Sequence, residues 1–185
     1  MTNWTDIMVD LETTGTDTSQ ASIIQIGAVF FNLKEGVIGP KFSKNLSVSD
    51  RDVTWEPGCL QWWTSNKDRK KILTDLLQNS FPPDMVIYEF VRWIRVNGVG
   101  RSLHFWSKPS HFDYSLLDRY FRKYGFENPF VYWKARDMRS YLLGLVFPEE
   151  LPELKLHSTD AHNALADVEF QVSELIRLTK ERKKL

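Results

Sequence analysis

The sequence predicts an α/β protein, a central mixed β-sheet flanked by helices, and three observations predict it. Short β-branched runs bounded by turn residues open the chain at Ile7–Val9 and Ile23–Phe31, the pattern of buried strands. From residue 56 onward apolar residues instead recur at a helical period, and a short strand-like run interrupts them at Ser102–Trp106. Strands of this kind with helices interleaved pack as layers around one sheet. At 185 residues the chain is long enough to bury a sizeable core as one domain over 1–185, and no internal repeat is visible.

Taken in order, Ile7-Met8-Val9 forms the first strand, ended by Asp10-Leu11-Glu12-Thr13-Thr14-Gly15. A polar hairpin-like connection, Thr16 to Ser22, leads to Ile23–Phe31, the strongest strand signal in the chain. Ile24, Ile26, Ala28 and Phe30 alternate on one face, while Ile23, Val29 and Phe31 keep the other partly apolar, as in a central strand covered on both sides. Asn32 to Gly39 reads as a turn into a third strand around Lys41 to Val48, completing a meander. Helices are expected over Glu56–Trp63, over Asp68–Gln78 with Ile72, Leu73, Leu76 and Leu77 inward, and over Asp84–Val96 with Asp84 as cap. The basic run Lys67-Asp68-Arg69-Lys70-Lys71 suits a solvated helix face or a patch that tracks phosphates. A helix preceded by Pro109-Ser110-His111 and ending at Gly125 carries the stripe Phe112, Leu116, Leu117, Tyr120, Phe121 and Tyr124. Pro129–Trp133 reads as a further strand, Arg136–Leu145 as a helix, Pro148 and Pro152 as bounds of a loop, and Leu165 to about Lys180 as the last helix.

The 24 basic and 24 acidic residues cancel, so no whole-molecule field draws the chain to a long polyanion or an anionic membrane, and any polyanion must be met locally. Cys59 stands alone, so no internal disulfide forms, and no signal-type apolar N-terminus or 18-residue apolar run appears. A reducing, cytoplasmic setting without a membrane is expected.

Chemistry concentrates in a few acidic and histidine positions. Residues i and i+2 of a strand point to the same face, so Asp10 and Glu12 can aim at one hard cation, which takes oxygen ligands. Taken alone, such a pair also fits solvated turn carboxylates. Asp113 lies in the first turn of a helix, where the dipole alone favours a carboxylate. His162 and Asp167 are five residues apart, about 140° on an ideal helix, so they share a site only if His162 sits in the entering turn with Asn163 as N-cap. Ala164 and Ala166 leave room around Asp167, and His157 and Asp160 crowd the same stretch, with His157 a competitor for any catalytic role.

In this order Asp10, Glu12, Asp113, His162 and Asp167 resemble the DEDDh branch of 3'-to-5' exonucleases, which includes proofreading exonucleases and oligoribonuclease. The resemblance runs nearly the whole chain: DLETTG at a strand end, IIQIGAV as second strand, HFD opening a mid-chain helix, and HNALAD near the C-terminus. Trp62-Trp63 and Arg136-Asp137-Met138-Arg139-Ser140 further resemble the small phage exonuclease A and actinobacterial exoribonuclease branch. The resemblance implies a ribonuclease H-like fold, two divalent ions (Mg²⁺ or Mn²⁺), and hydrolysis of single-stranded DNA or RNA from its 3' end to nucleoside 5'-monophosphates. By the same resemblance Asp10 would bridge the ions, Glu12 and Asp167 would complete one site, Asp113 would hold the other ion, and His162 would act as general base. Residues just after the first acid hold the terminal nucleotide in related enzymes, which makes Leu11, Thr13 and Thr14 substrate candidates. Trp106 and Phe112, beside Asp113, are candidate stacking platforms, as are Trp62 and Trp63 by analogy; each of these aromatics is equally at home in a core. A homodimer is expected from the aromatic content and the family habit.

Overall fold

A computed structural model describes residues 4–48, 53–145 and 162–182, without the side chains of Arg101 and Arg182. Its sheet has five strands: β1 (Asp6–Thr13), β2 (Ile23–Asn32), β3 (Val37–Asn45), β4 (His104–Ser107) and β5 (Ala135–Asp137). Their spatial order is β3-β2-β1-β4-β5. The first three form an antiparallel meander, while β4 runs parallel to β1 and β5 parallel to β4. The helices are α1 (Pro57–Thr64), α2 (Lys67–Gln78), α3 (Pro83–Asn97), α4 (Ser110–Lys123), α5 (Met138–Leu145) and α6 (Ala164–Arg182).

Every residue of β2 is buried, as its continuous apolar run requires. On one face of the sheet Ile7, Val9, Ile26, Ala28 and Phe30 pack against Val86, Phe90 and Ile94 of α3 and Leu116, Leu117 and Phe121 of α4. On the other, Met8, Val29, Phe31 and Trp106 pack against Met138 and Leu142 of α5 and Val168, Val172 and Leu175 of α6. A smaller cluster joins Ile24 to Trp63, Leu73 and Leu76, holding α1 and α2 at one end of β2. The expected mixed sheet with helices on both faces is therefore the fold observed.

Four local expectations change. The β2–β3 turn is tighter than Asn32–Gly39: Asn32 accepts from Gly36 through its carbonyl at 2.8 Å and from Glu35 through its side chain at 3.0 Å. Gly36 takes φ +67° there, a conformation that suits glycine, and β3 starts at Val37 instead of Lys41. Asp84 does not cap α3; Pro82 stands at the N-cap and Asp84 lies within the first turn, where it meets the dipole. Pro129–Trp133 is not a strand, because Asn128 folds it back by accepting from the Phe130 N–H at 2.9 Å while Phe130 fills the core beside α4. The fifth strand falls at Ala135–Asp137, in what reads as the start of a helix, and α5 begins at Met138 once Asp137 accepts from the Ser140 N–H at 2.8 Å. Pro148, Pro152, His157 and Asp160 lie outside the described residues.

Candidate active site at the carboxyl end of β1

Parallel pairing of β1 with β4 brings the carboxyl end of β1 beside the start of α4, and the antiparallel partner β2 brings α6 to the same place. Asp10 and Glu12 project from β1 on one face, opposite Gly27 and Gln25 of β2. Gln25 is buried, and its side-chain carbonyl accepts from the Ala164 N–H at 2.8 Å, so β2 holds the first residue of α6. A Cβ on Gly27 would lie 2.2 Å from the Ala164 carbonyl carbon, so only glycine lets the helix approach this closely. The Gln-Ile-Gly of the second strand thus fixes where α6 begins.

Asn163 caps that helix, its side-chain oxygen accepting from Leu165 at 3.1 Å and Ala166 at 3.2 Å. His162 precedes the cap with φ +73°, the left-handed conformation that turns its side chain out of the helical path. Its backbone N–H donates to the Asp167 carboxylate at 3.2 Å. The five-residue spacing is bridged in this way, with His162 in the entering turn.

Asp10, Glu12 and Asp167 each place a carboxylate oxygen within 4.8 Å of the other two. Asp113 is buried in the first turn of α4, close enough that its charge acts on Glu12. Burial, then the Asp167 charge, raises the Asp10 carboxyl from its usual 3.8 to about 7, against a hydrogen bond from Gln171 and the Lys108 charge. Asp167 rises to about 6, mainly through burial. Glu12 and Asp113 are both pushed well above the ordinary carboxylate range, first by burial and then by the Asp10 charge. Four carboxyls all raised by burial, three of them also by a neighbouring acid's charge, form a cation site in electrostatic terms. The donor set fits hard divalent cations: every ligand atom is a carboxylate oxygen, and Asp167 Oδ1 is buried without a hydrogen-bond partner. The structure thus brings all five acidic and histidine candidates together, at the ends of three elements far apart in sequence.

The substrate candidates separate. Trp106 is fully buried, its ring packed on Phe31 and Tyr141 and its Nε1–H donating to Asp6 at 2.8 Å, so it offers no stacking face. Leu11 is a core residue. Thr14 is buried too, its hydroxyl donating to the Thr54 carbonyl and accepting from the Ser22 N–H, both at 2.8 Å, so it shapes the loop instead of meeting a ligand. Trp63 is buried with Nε1–H donating to the Thr13 carbonyl at 3.3 Å. Thr13 remains partly exposed, its hydroxyl turned to the Gly15 carbonyl at 2.8 Å. Phe112 is partly exposed beside Asp113. Trp62 is also partly exposed: its ring meets the His162 ring edge-on at a centroid distance of 4.5 Å, and Arg69 lies 4.1 Å from its centroid. One member of the basic run thereby leaves the solvated face for the site. Burial, then the Arg69 charge, holds the His162 imidazole below the usual histidine range.

Three residues have no sequence signal of their own. Gln171, one turn beyond Asp167, donates to Asp10 at 3.4 Å, and its i+4 spacing from Asp167 is its one legible trace. Glu56 accepts from the backbone N–H groups of Thr16 at 2.8 Å and Asp17 at 2.6 Å, pinning the loop after β1. Lys108, just past β4, acts on both Asp10 and Asp167.

The family model described as the 3'-5' exoribonuclease Rv2179c-like domain matches residues 5–177. No curated protein sequence matches the chain. Among solved structures, the zinc-bound form of an E. coli exonuclease I complex with single-stranded DNA superposes with a TM-score of 0.70 at 15% identity, covering 99% of this chain and 42% of that one. E. coli exonuclease I in complex with a dA16 oligonucleotide gives 0.70 at 16%, covering 97% and 41%. The exonuclease I of Methylocaldum szegediense gives 0.68 at 17%, covering 97% and 41%. The chain spans less than half the length of these structures, and at such identities they show a shared ribonuclease H-like fold. With the family model covering nearly the whole described fold, the chain belongs to the 3'-5' exoribonuclease Rv2179c-like domain family.

Proposed function

We propose that this protein removes nucleoside 5'-monophosphates one at a time from the 3' end of single-stranded nucleic acid, RNA being the substrate its family description favours. The observation that carries the reading is the convergence of Asp10, Glu12 and Asp167 within 4.8 Å, with buried Asp113 acting on the same group. Asp10, Glu12 and Asp167 would hold one divalent cation and Asp10 with Asp113 a second, Mg²⁺ or Mn²⁺. Such ions, when bound, offset the charge that builds on phosphorus and on the attacking and leaving oxygens.

The chain's own residues supply the rest. His162, whose backbone N–H is anchored on the Asp167 carboxylate, takes a proton from the water that attacks phosphorus, a task suited to a neutral imidazole. The P–O3' bond then breaks, leaving a 3'-hydroxyl on the shortened strand and the phosphate on the released nucleotide. Gln171 orients Asp10 through its hydrogen bond. Thr13, Phe112 and Trp62, the partly exposed members of the candidate set, would meet the terminal nucleotide, Trp62 by its remaining face. The chain's zero net charge suits a short 3' end held by few phosphate contacts.

The experiment compares 5'-labelled and 3'-labelled single-stranded RNA and DNA in Mg²⁺ or Mn²⁺, with wild type beside Asp10→Ala. A one-nucleotide ladder from the 3' end that the variant lacks is the expected outcome. Internal cuts would replace the exonuclease reading with an endonuclease one, and absence of cleavage under any divalent ion would make the protein a 3'-end binding module.

A further inference from the structure

We infer that Lys108, with Arg139 beside it, receives a non-bridging oxygen of the scissile phosphodiester, an inference that rests on the exonuclease reading above. The sheet register places it there. Parallel pairing sets Asp6 opposite His104, Ile7 opposite Phe105 and Met8 opposite Trp106, and Lys108 follows Ser107, the last residue of β4, at the carboxyl end of the strand beside β1 and its Asp10. Partners in a parallel pair share a face, and Met8 and Trp106 both pack under α5 and α6. That carboxyl end of the sheet also carries Asp10, with Asp167 of α6 against it. The Lys108 charge does act on both of these acids.

The second cation comes from α5. Asp137 accepts from Ser110 at 3.0 Å, at the start of α4, and from Ser140 at 2.8 Å, at the start of α5. One carboxylate thereby ties the turn carrying Lys108 to the turn carrying Arg139, and the two cations are near enough to repel one another. Like charges held side by side at the mouth of a site, one of them half-buried, are stabilised when an anion joins them. The phosphate is the anion at hand. Four carboxylates offset the charge of two divalent cations, which leaves the charge of the phosphate and its increase during attack to be met by other groups. Lys108 is the lysine whose charge acts on Asp10 and Asp167, two of the carboxylates that would hold those cations. A point-charge ammonium suits one phosphate oxygen, and the exposed Arg139 guanidinium suits its second oxygen or the next phosphate.

The test measures binding without turnover. Wild type, Lys108→Met and Lys108→Arg are titrated into a fluorescent single-stranded oligonucleotide in EDTA across a salt series, with circular dichroism melts as the check on folding. Lys108→Met is expected to bind about tenfold more weakly and to lose about 0.7 from the slope of log K against log salt, one phosphate contact on a single strand; Lys108→Arg is expected to recover most of that slope. In Mg²⁺ or Mn²⁺ the methionine variant is expected to lose about 10- to 100-fold in kcat/KM. Repeating the titration with a methylphosphonate at the 3'-terminal linkage, which removes that phosphate's charge, should erase the difference between wild type and Lys108→Met. An unchanged difference on the methylphosphonate, or equal affinity and slope on the ordinary strand, would overturn the assignment and make Lys108 a counter-charge to Asp10 and Asp167. Absence of cleavage by wild type would defeat the exonuclease reading separately, since the binding comparison needs no turnover.

Discussion

At the scale of single residues, the site divides into groups that would hold cations and groups that orient those holders. Asp10 is held by Gln171, whose side chain has little other work among the described contacts. Gln171→Ala is expected to lower divalent-ion affinity about 10- to 100-fold with little change in melting temperature, as calorimetric titration would measure. His162 differs in kind, because its imidazole lies against Trp62 and its backbone alone touches Asp167. Its φ of +73° makes alanine a poor probe, since asparagine tolerates that conformation far better. His162→Asn should cost about 10²- to 10⁴-fold in turnover while metal affinity stays near that of wild type. An equal loss of metal binding would assign His162 as a ligand and remove it as the base.

At the scale of elements, the close approach of α6 to β2 is the feature on which the site's geometry depends. Asp167 reaches Asp10 because Gln25 and Gly27 of β2 seat the first turn of α6. Gly27→Ala would push a methyl group into the Ala164 backbone, where backbone must move because no flexible side chain can give way. Overpacking of this kind costs about 1–3 kcal/mol, so a lowered melting temperature is expected together with a disproportionate loss of metal affinity as Asp167 withdraws. A melting temperature and metal affinity equal to wild type would show that α6 slides without consequence. The β1–α1 loop is held in a different way, by the Glu56 carboxylate on two backbone N–H groups, a solvent-facing contact whose loss should disturb substrate binding at Thr13 more than global stability.

At the scale of the whole molecule, the four clustered carboxylates make stability depend on pH and on metal. Asp10 rises to about 7 and Asp167 to about 6 in the folded chain, against an unfolded value of 3.8. The folded state then binds more protons than the unfolded state across roughly pH 4 to 7, so stability of the metal-free protein falls as pH rises through that window. Melting in EDTA should accordingly drop between about pH 5 and 7, and Asp10→Asn should flatten the curve. Saturating Mg²⁺ or Mn²⁺ competes with those protons, so the metal-dependent gain in melting temperature should grow with pH. A metal-free melting profile that rises from pH 5 to 7 by as much in the variant as in wild type would show that the cluster does not govern the folded state.

The strands and most helices were legible because their apolar periods are local: β2 declares itself by a run with no polar interruption except Gln25 and Asn32, and α6 by its stripe from Leu165 to Ile176. The five acidic and histidine positions could be named because their order along the chain resembles the DEDDh exonucleases, with strand parity and helix starts giving each a local place. The stretch from Pro129 to Asp137 could not be read this way. Val131, Tyr132 and Trp133 have strand propensity, yet the hydrogen bonds of Asn128 and the burial of Phe130 bend them into a loop, and pairing with β4 makes a strand of Ala-Arg-Asp instead. The same limit applies to Trp106 and Thr14, where exposure depends on what other segments cover. The sequence by itself therefore determined the layered fold and the acidic and histidine residues that gather at the carboxyl end of β1. Only the tertiary structure decided that Gln171, Glu56 and Lys108 join the site and that Trp106 leaves it, because these outcomes follow from strand register and helix seating between segments as much as 161 residues apart.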